Sequence, residues 1–563
     1  MPLTFTKGSN LPTIEQWINE LKETYTVLDV IDCDLYENNL FELYNQLKKN
    51  YKTTYQEHHR IVLTITKDFY KELQSNTVLQ SVQTMLNELD ISNFFTIIIS
   101  TNPNLEEEYL WVHKNTSVDP VLINLYKASG DYTNTYKDIS IYQTFSGLGN
   151  NSVLLENLPD RARHLFLESK TFCVLPWISQ YVTQDNKVNP CCYISTDTAL
   201  GNANNETLED IWNNKNTRQL RLDMLEGKEL EACKTCYLKD QKYKGDTART
   251  AYNRDFIQEF PSVLSTNNDG SLEKFEIKLL NYKPNNLCNL QCRMCQTKFS
   301  SSLYSVEKLL GMTVPDKAFV ASNPDLLEQY FKHIDHFNQI IFEGGEPLMM
   351  KETYDFVEKL DEKKRHDIKL MYITNMTYSG LGSRDIFKLW QNFKNIIVFA
   401  SLDAEYDRAL YLRPGSYTWD KIVDFTKQIK QKRPDIFFNV QSTITILNAL
   451  HMPDFHRNWV EQGLIDADQW IVNLLTNKQY LRVTTAPEYL KDLIREKFQK
   501  HVEWLRPLDP YGKSTTGYMA IIHAMDNNET FNPKLFWKEI EQRDKIYNVK
   551  LLDVFPELVD LPR

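Results

Sequence analysis

Residues 275–302, FEIKLLNYKPNNLCNLQCRMCQTKFSSS, determine how the rest of the chain is interpreted. Three cysteines stand there at the spacing C-x3-C-x2-C, namely Cys288, Cys292 and Cys295. The apolar run before them predicts a strand and a helical pattern follows from Ser300, so the cysteines are expected on the loop after a strand. Iron–sulfur clusters are held by thiolates, normally four. Three thiolates would leave one iron of a 4Fe–4S cluster open to another ligand, as in catalytic metal sites.

The spacing resembles the cysteine motif of the radical S-adenosylmethionine (radical SAM) superfamily, which usually has an aromatic residue where this chain has Met294. The resemblance implies that Cys288, Cys292 and Cys295 are catalytic and hold a 4Fe–4S cluster whose open iron binds S-adenosylmethionine (SAM). In that family the reduced cluster cleaves SAM, and a 5′-deoxyadenosyl radical takes a hydrogen atom from the substrate. A zinc knuckle lacking one ligand, or three incidental thiols, is the alternative interpretation of the spacing.

Strand and helix patterns alternate over residues 272–475, which predicts a parallel α/β core. The strand patterns lie at residues 275–280, 339–343, 369–374, 396–402, 437–446 and 469–475. Amphipathic helical runs, such as 351–360 and 419–430, lie between them. Six such repeats resemble the partial (β/α)6 TIM-like barrel of the radical SAM core.

Polar and glycine residues stand at the predicted carboxyl ends of these strands, the face of a parallel barrel that carries its chemistry. They are Gly344, Gly345, Glu346, Pro347, Asn375, Ser401 and Asp403. The resemblance implies that all seven belong to the SAM site, with the GGEP motif on the methionyl amino group, Glu346 as its acceptor, and Ser401 and Asp403 near the ribose. Arg413 or Arg408 could pair with the methionine carboxylate, or either could form a surface salt bridge.

A second cysteine group lies in residues 165–245 and contains Cys173, Cys191, Cys192, Cys233 and Cys236. The block contains Cys-x-x-Pro-Trp, a hairpin into Pro-Cys-Cys, a helical pair stopped by Gly227, and a final Cys-x-x-Cys. This order resembles the auxiliary-cluster module of SPASM and Twitch proteins, although that module commonly follows the radical SAM core and here precedes it. The resemblance implies that Cys173, Cys191, Cys233 and Cys236 hold a second, auxiliary 4Fe–4S cluster. A four-cysteine zinc site is the alternative.

The hairpin decides between two neighbouring ligand candidates. Asn186 stands where the family has glycine, and asparagine tolerates a positive φ. The resulting turn register favours Cys191 as the ligand over Cys192, because adjacent strand residues point to opposite faces.

The two ends of the chain carry no catalytic motif. Strand patterns at 26–31, 60–66 and 94–100 alternate with helical patterns at 40–49 and 78–89, so residues 1–160 are predicted to form an accessory α/β domain of unknown role. Cys33 is interpreted there as a small buried or edge residue. Residues 476–563 are predicted to form a helical cap.

Composition argues against several classes of partner. The net charge of −11 and pI of about 5.6 argue against nucleic acid and anionic membranes as partners. No signal-peptide pattern opens the chain, and its apolar runs are too short to span a bilayer. Eight of the nine cysteines fall in the two groups, which indicates metal ligation in a reducing cytoplasm.

These patterns together predict a radical SAM enzyme that oxidises or cross-links a peptide or protein, with a donor such as flavodoxin or ferredoxin supplying electrons. One alternative is a radical SAM dehydrogenase of a small molecule. Another is a non-catalytic iron–sulfur or zinc protein used for binding or sensing, although such a protein would not need the GGEP motif.

Overall fold

A computed structural model describes residues 158–194, 199–242, 247–509, 512–527 and 529–563, together with four strands in residues 1–157. The chain divides into two compact units, residues 1–157 and 158–563. The finer domain limits given above stay a prediction. In the part of the chain so described, no helix has both the length and the apolarity needed to cross a membrane.

The first unit contains a parallel four-stranded sheet. Its strands are β1 (Thr26–Asp32), β2 (His59–Thr64), β3 (Thr96–Ser100) and β4 (Pro120–Asn124), paired in that order. Three of them match predicted strands and agree with the parallel layer. β4 was missed because its apolar run is short and opens on proline. The helices predicted at 40–49 and 78–89, and Cys33, lie outside the described residues.

The second unit begins with helices around a small antiparallel sheet. The strands are β5 (Tyr181–Val182), β6 (Lys187–Asn189) and β7 (Gly201–Asn202). The helices are α1 (Asp160–Leu167), α2 (Leu208–Trp212), α3 (Lys215–Leu225), α4 (Lys234–Lys242), α5 (Ala248–Asp255) and α6 (Phe260–Val263). As predicted, Asn186 takes a left-handed conformation, with φ of 63°, in the β5–β6 turn, and Gly227 has φ of 76° just after α3.

The core of the second unit is a six-stranded sheet in which every neighbouring pair is parallel. Its strands, in spatial and chain order, are β8 (Leu279–Tyr282), β9 (Gln339–Phe342), β10 (Lys369–Thr374), β13 (Asn395–Ser401), β14 (Phe437–Ile444) and β15 (Trp470–Leu474). A two-stranded ribbon, β11 (Gly380–Leu381) and β12 (Arg384–Asp385), is inserted after β10. This topology confirms the predicted partial TIM-like barrel.

Helices connect the barrel strands and bury their apolar stripes against the sheet. They are α7 (Leu303–Leu309), α8 (Asp325–Lys332), α9 (Lys351–Glu362), α10 (Ile386–Trp390), α11 (Tyr406–Leu412), α12 (Trp419–Lys432) and α13 (Met452–Glu461). In α9, for example, Phe356, Val357 and Leu360 are fully buried. Burial of each such side chain stabilises the fold by about 1.5–3 kcal/mol.

The first barrel strand begins later than its apolar pattern predicts. The pattern starts at residue 275, whereas β8 starts at Leu279. The backbone N–H groups of Lys278 and Leu279 both donate to the carbonyl of Ile178, 2.8 and 3.0 Å away. The residues before β8 therefore lie against the cysteine-rich segment that precedes the core, which covers this edge of the sheet.

Four helices complete the chain: α14 (Glu488–Leu505), α15 (Lys513–Ala524), α16 (Pro533–Tyr547) and α17 (Leu551–Val554). One of them contacts the cysteine loop directly. Arg293, between Cys292 and Met294, donates from Nη2 to Asp544 Oδ1 of α16 at 2.7 Å. Asp544 also accepts bonds from the Tyr411 hydroxyl and the Leu551 backbone N–H, each at 2.7 Å.

We expect Asp544→Ala to destabilise the protein by about 3–5 kcal/mol, because it leaves the Arg293 guanidinium buried without a counter-charge. Anaerobic chemical denaturation measures the change. Glu496→Ala, which removes an exposed partner of Lys500, is the control and should leave the unfolding midpoint where it is. Equal midpoints for both variants would contradict an anchoring role for α16.

Candidate functional site

One cavity of about 290 Å³ lies at the carboxyl ends of the first four barrel strands. It brings together eight of the predicted site residues: Cys288, Cys292, Cys295, Gly344, Gly345, Asn375, Ser401 and Arg413. Cys288 and Cys292 are buried, and Cys295 is partly exposed. The wall therefore combines three thiols with polar groups from three separate strand ends.

The GGEP turn contacts the backbone of the cysteine loop. The Glu346 N–H donates to the Leu287 carbonyl at 2.7 Å. A Cβ atom on Gly345 would lie 2.0 Å from that same oxygen, so only glycine permits this approach. Gly344 has φ of 129°, a conformation that side-chain-bearing residues rarely adopt. Both glycines are therefore needed for the turn to line the cavity beside the cysteines.

Glu346 lies behind the cavity wall and is fully buried. Its Oε1 accepts from the Leu348 N–H at 3.1 Å and the Thr374 hydroxyl at 2.7 Å, and its Oε2 accepts from the Asn375 N–H at 2.7 Å. Burial raises the pKa of its carboxyl to about 7, against the opposing effect of these bonds. Glu346 thus joins the GGEP turn to the end of β10. The contact of Glu346 with the methionyl amino group stays a prediction. Pro347 is buried as well and does not line the cavity.

Arg413 is the cavity's positive charge next to the cysteines. Its Nη1 lies 3.9 Å from Cys292 Sγ, and its Nε donates to Asp403 Oδ2 at 2.7 Å. Burial alone would lower the pKa of Arg413, but Asp403 and Cys292 raise it above the ordinary value. Asp403 is buried off the wall, where it also accepts from the Thr443 N–H at 2.7 Å, so in this structure it orients Arg413.

The alternative arginine lies elsewhere. Arg408 makes a two-point contact with Glu557, with Nη1 and Nη2 donating at 2.6 and 3.1 Å. It is not part of the cavity wall. Of the two arginines considered for the methionine carboxylate, the structure brings only Arg413 to the cysteines.

A second, mainly apolar cavity is lined by four cysteines of the segment that precedes the barrel. Cys173, Cys191, Cys233 and Cys236 all reach it, together with several tyrosines. Cys192 does not, and its side chain is exposed. The register of the hairpin therefore brings Cys191, and not its neighbour, to the other three cysteines.

Helix α5 fixes the chain around Cys173. Asn253 Oδ1 accepts from the Val174 N–H at 2.8 Å, and Arg249 Nη1 donates to the Phe172 carbonyl at 2.9 Å. Each bond reaches a residue adjacent to Cys173. Within the described ranges, no three His, Cys, Asp or Glu side chains converge closely enough to bind a single metal ion.

Two family models match this chain. The model of the radical SAM superfamily matches residues 282–456, and that of SPASM, an iron–sulfur cluster-binding domain, matches residues 173–237. The first match contains the three loop cysteines and the strand ends of the cavity. Residues 282–456 thus match a radical SAM domain. The SPASM match contains all four cysteines of the second cavity, so the SPASM domain precedes the radical SAM core.

Several solved structures are similar to part of this chain. Native anSMEcpe with bound AdoMet is 20% identical, with a TM-score of 0.28 over 40% of this chain and 58% of its own. The same protein with AdoMet and the Cp18Cys peptide is 19% identical, with a TM-score of 0.30 over 42% and 62%. TYW1 with a lysine–pyruvate adduct is 11% identical, with a TM-score of 0.22 over 41% and 70%. The chain thus spans about three fifths of the anSMEcpe structures, and no curated protein sequence matches it.

The radical SAM and SPASM domains imply a 4Fe–4S cluster with SAM in the core and auxiliary iron–sulfur in front of it. The donor sets fit, because each cavity is lined by the soft thiols that such clusters use. Burial raises the pKa of the Cys288 and Cys173 thiols to about 12 each. Metal coordination would offset this effect, since a coordinating thiol is deprotonated.

The cavity wall also contains charged residues that the motifs did not identify. Lys283 and Glu343 both line it. Each stands directly after a barrel strand, β8 or β9. The rule that located the GGEP motif, that polar residues at carboxyl strand ends carry the chemistry, would also have found these two.

Proposed function

We propose that this protein reductively cleaves SAM in the cavity of its radical SAM core and abstracts a hydrogen atom from a substrate. The observation that supports the proposal is the cavity itself, where three thiols and five further predicted residues share one wall. When bound, the reduced cluster and SAM supply a 5′-deoxyadenosyl radical as the hydrogen acceptor. Cys288, Cys292 and Cys295 would hold the cluster.

The other wall residues would bind and orient SAM. The open backbone at Gly344 and Gly345 gives the methionyl group access to peptide carbonyls. Arg413, oriented by Asp403, would pair with the carboxylate. Asn375 and Ser401 offer hydrogen bonds towards the rest of SAM, and Asn375 is held in place by the bond from its N–H to Glu346.

SAM binding tests this arrangement through Glu346→Gln. The amide offers one acceptor oxygen in place of two, so its NH2 group replaces the acceptor either of the Asn375 N–H or of the Leu348 N–H and the Thr374 hydroxyl. We infer that Glu346 also accepts a hydrogen bond from the methionyl ammonium of SAM. A hydrogen bond to a charged group contributes about 1.5–3 kcal/mol, so we expect its loss to lower SAM affinity roughly tenfold or more. Anaerobic equilibrium dialysis of the cluster-loaded protein measures it, with Glu358→Gln on the outer face of α9 as control. Unaltered affinity in Glu346→Gln would remove Glu346 from the site.

For the substrate, we propose a peptide or protein that is oxidised or cross-linked. The SPASM cysteines Cys173, Cys191, Cys233 and Cys236 would hold a fully thiolate-ligated cluster, which has no open iron for SAM. Such a cluster can accept the electron left on a substrate radical, and oxidation needs that acceptor. A flavodoxin or ferredoxin would reduce the core cluster.

The substrate proposal is tested by incubating the reduced protein with SAM and a pool of peptides from the source cell. We expect individual peptides to lose a hydrogen pair in mass spectra, together with formation of 5′-deoxyadenosine. Formation of 5′-deoxyadenosine with no altered peptide, but with an oxidised small metabolite, would favour a small-molecule dehydrogenase instead.

A further inference from the structure

Lys283 and Glu343 form an ion pair on the cavity wall that the assigned SAM contacts do not use. Lys283 Nζ lies 3.3 Å from Glu343 Oε1. It also donates to the hydroxyl of Tyr181 at 2.5 Å, and Tyr181 belongs to β5 of the SPASM domain. The exposed fractions of the Lys283 and Glu343 side chains are 8% and 17%. The pair is therefore nearly enclosed and still reaches the cavity.

The pair retains unused hydrogen-bonding capacity. The two neighbours of the Glu343 carboxylate, Lys283 Nζ and Asn281 Nδ2, both lie at Oε1, at 3.3 and 2.9 Å. Among the described residues, no donor reaches Oε2 of Glu343. The Lys283 ammonium has three N–H groups, of which one is used by Tyr181. A ligand in the cavity would therefore find a donor and an acceptor side by side.

This part of the wall differs from the part beside the cysteines. Arg413 is the charge next to Cys292. Lys283 instead lies near aromatic rings, with Nζ 4.7 Å from the centroid of Tyr181 and 5.9 Å from that of Phe299. A buried ion pair contributes little net stability, because desolvation offsets its attraction. The pair is therefore better explained as a site that binds a ligand than as a contact that stabilises the fold.

We propose that Lys283 and Glu343 bind an amide group of the substrate, with the Lys283 ammonium donating to the amide carbonyl and Glu343 Oε2 accepting from the amide N–H. The pair is neutral overall, so a neutral group with adjacent donor and acceptor complements it. A carboxylate or an ammonium would instead face one like charge. The inference rests on the proposed function and specifies the substrate group that the SPASM-facing wall of the cavity holds.

The test uses deuterium transfer from a defined probe, a mixture of N-acetylated, C-amidated peptides deuterated at carbon. Abstraction breaks a C–D bond of the probe and forms one in 5′-deoxyadenosine, so mass spectrometry gives the deuterated fraction of that product. This fraction is independent of the total amount of SAM cleaved. We expect the double variant Lys283→Met/Glu343→Met, which leaves no unpaired charge, to lower it at least tenfold. The matched control, Lys278→Met/Glu276→Met, removes a neighbouring pair outside the cavity wall and should retain the wild-type fraction.

Binding is measured separately by saturation-transfer NMR, with N-methylacetamide as probe and methyl acetate, which has the carbonyl but no N–H, as comparison. The proposal predicts a stronger signal for the amide in the wild type and equal, weak signals in the double variant. A wild-type deuterated fraction or an undiminished amide signal in the double variant would overturn the proposal. The proposal would also be overturned if the wild-type protein makes 5′-deoxyadenosine but takes no deuterium from the peptides. In that case the proposed SAM cleavage would still hold. Wild-type protein that makes no 5′-deoxyadenosine would instead overturn the proposed function on which this inference rests.

Discussion

Replacing Cys288, Cys292 and Cys295 together by alanine is expected to abolish formation of 5′-deoxyadenosine, a loss of several orders of magnitude. The three thiols share the wall of one cavity with the GGEP turn and Arg413. Without them, no cluster is held where SAM would bind, and cleavage has no electron source. Chromatographic detection of 5′-deoxyadenosine after anaerobic incubation with SAM and dithionite measures the effect.

The same triple variant contains its own control. The SPASM cysteines are untouched, so about half of the iron and the absorbance of the auxiliary cluster should remain. A variant that loses all iron has lost its fold, and circular dichroism would show it. Undiminished 5′-deoxyadenosine formation with the auxiliary iron retained would refute the assignment of these three cysteines.

The second large effect concerns the auxiliary cluster. Cys191→Ala should lose about four irons of an expected eight, whereas Cys192→Ala should keep them all. The reason is geometric, because Cys191 lines the cavity with Cys173, Cys233 and Cys236, while Cys192 is exposed outside it. Iron and sulfide analysis of anaerobically reconstituted proteins measures the difference, with Cys192→Ala as the matched control.

The reverse result, iron lost in Cys192→Ala and kept in Cys191→Ala, would shift the ligand by one residue. Full iron in both variants would show that the auxiliary site lies elsewhere. Zinc in place of iron would favour the structural four-cysteine site that has the same donor set.

Local patterns in the sequence were enough to predict the barrel. Strand β10, Lys369–Thr374, lies at the predicted residues because its alternation is regular and both ends are marked by polar groups. β8 was placed too early because the apolar residues before it, Phe275 and Ile277, are partly and fully buried, respectively, for another reason. Phe275, for instance, packs at 5.3 Å, between ring centroids, against Trp212 of the SPASM domain. An alternation of apolar residues indicates that side chains are buried but not what they pack against. The sequence therefore could not distinguish packing against the SPASM domain from packing within the barrel.

The motif residues were predicted more reliably than their contacts. The GGEP motif, Ser401 and Asn375 could be placed at strand ends from the sequence. The burial of Glu346 behind the wall could not, because it depends on hydrogen bonds from β10. Asp403 likewise contacts Arg413 and not the cavity.

Long-range contacts leave no local signal at all. The Arg293–Asp544 pair joins residues 251 positions apart, so neither sequence neighbourhood predicts it. Lys283 and Tyr181 are 102 positions apart and come from the core and the SPASM domain. Such residues meet only in the folded chain. The inferred binding of a substrate amide by Lys283 and Glu343 therefore could not be predicted from the sequence.

SAM cleavage by the wild-type protein is the direct test of the proposed reaction. The protein is reconstituted anaerobically with iron and sulfide, reduced with dithionite and incubated with SAM, and 5′-deoxyadenosine and methionine are quantified together. We predict both products in equal amounts, and neither without reductant. Protein that holds about eight irons, binds SAM and still forms no 5′-deoxyadenosine would contradict it.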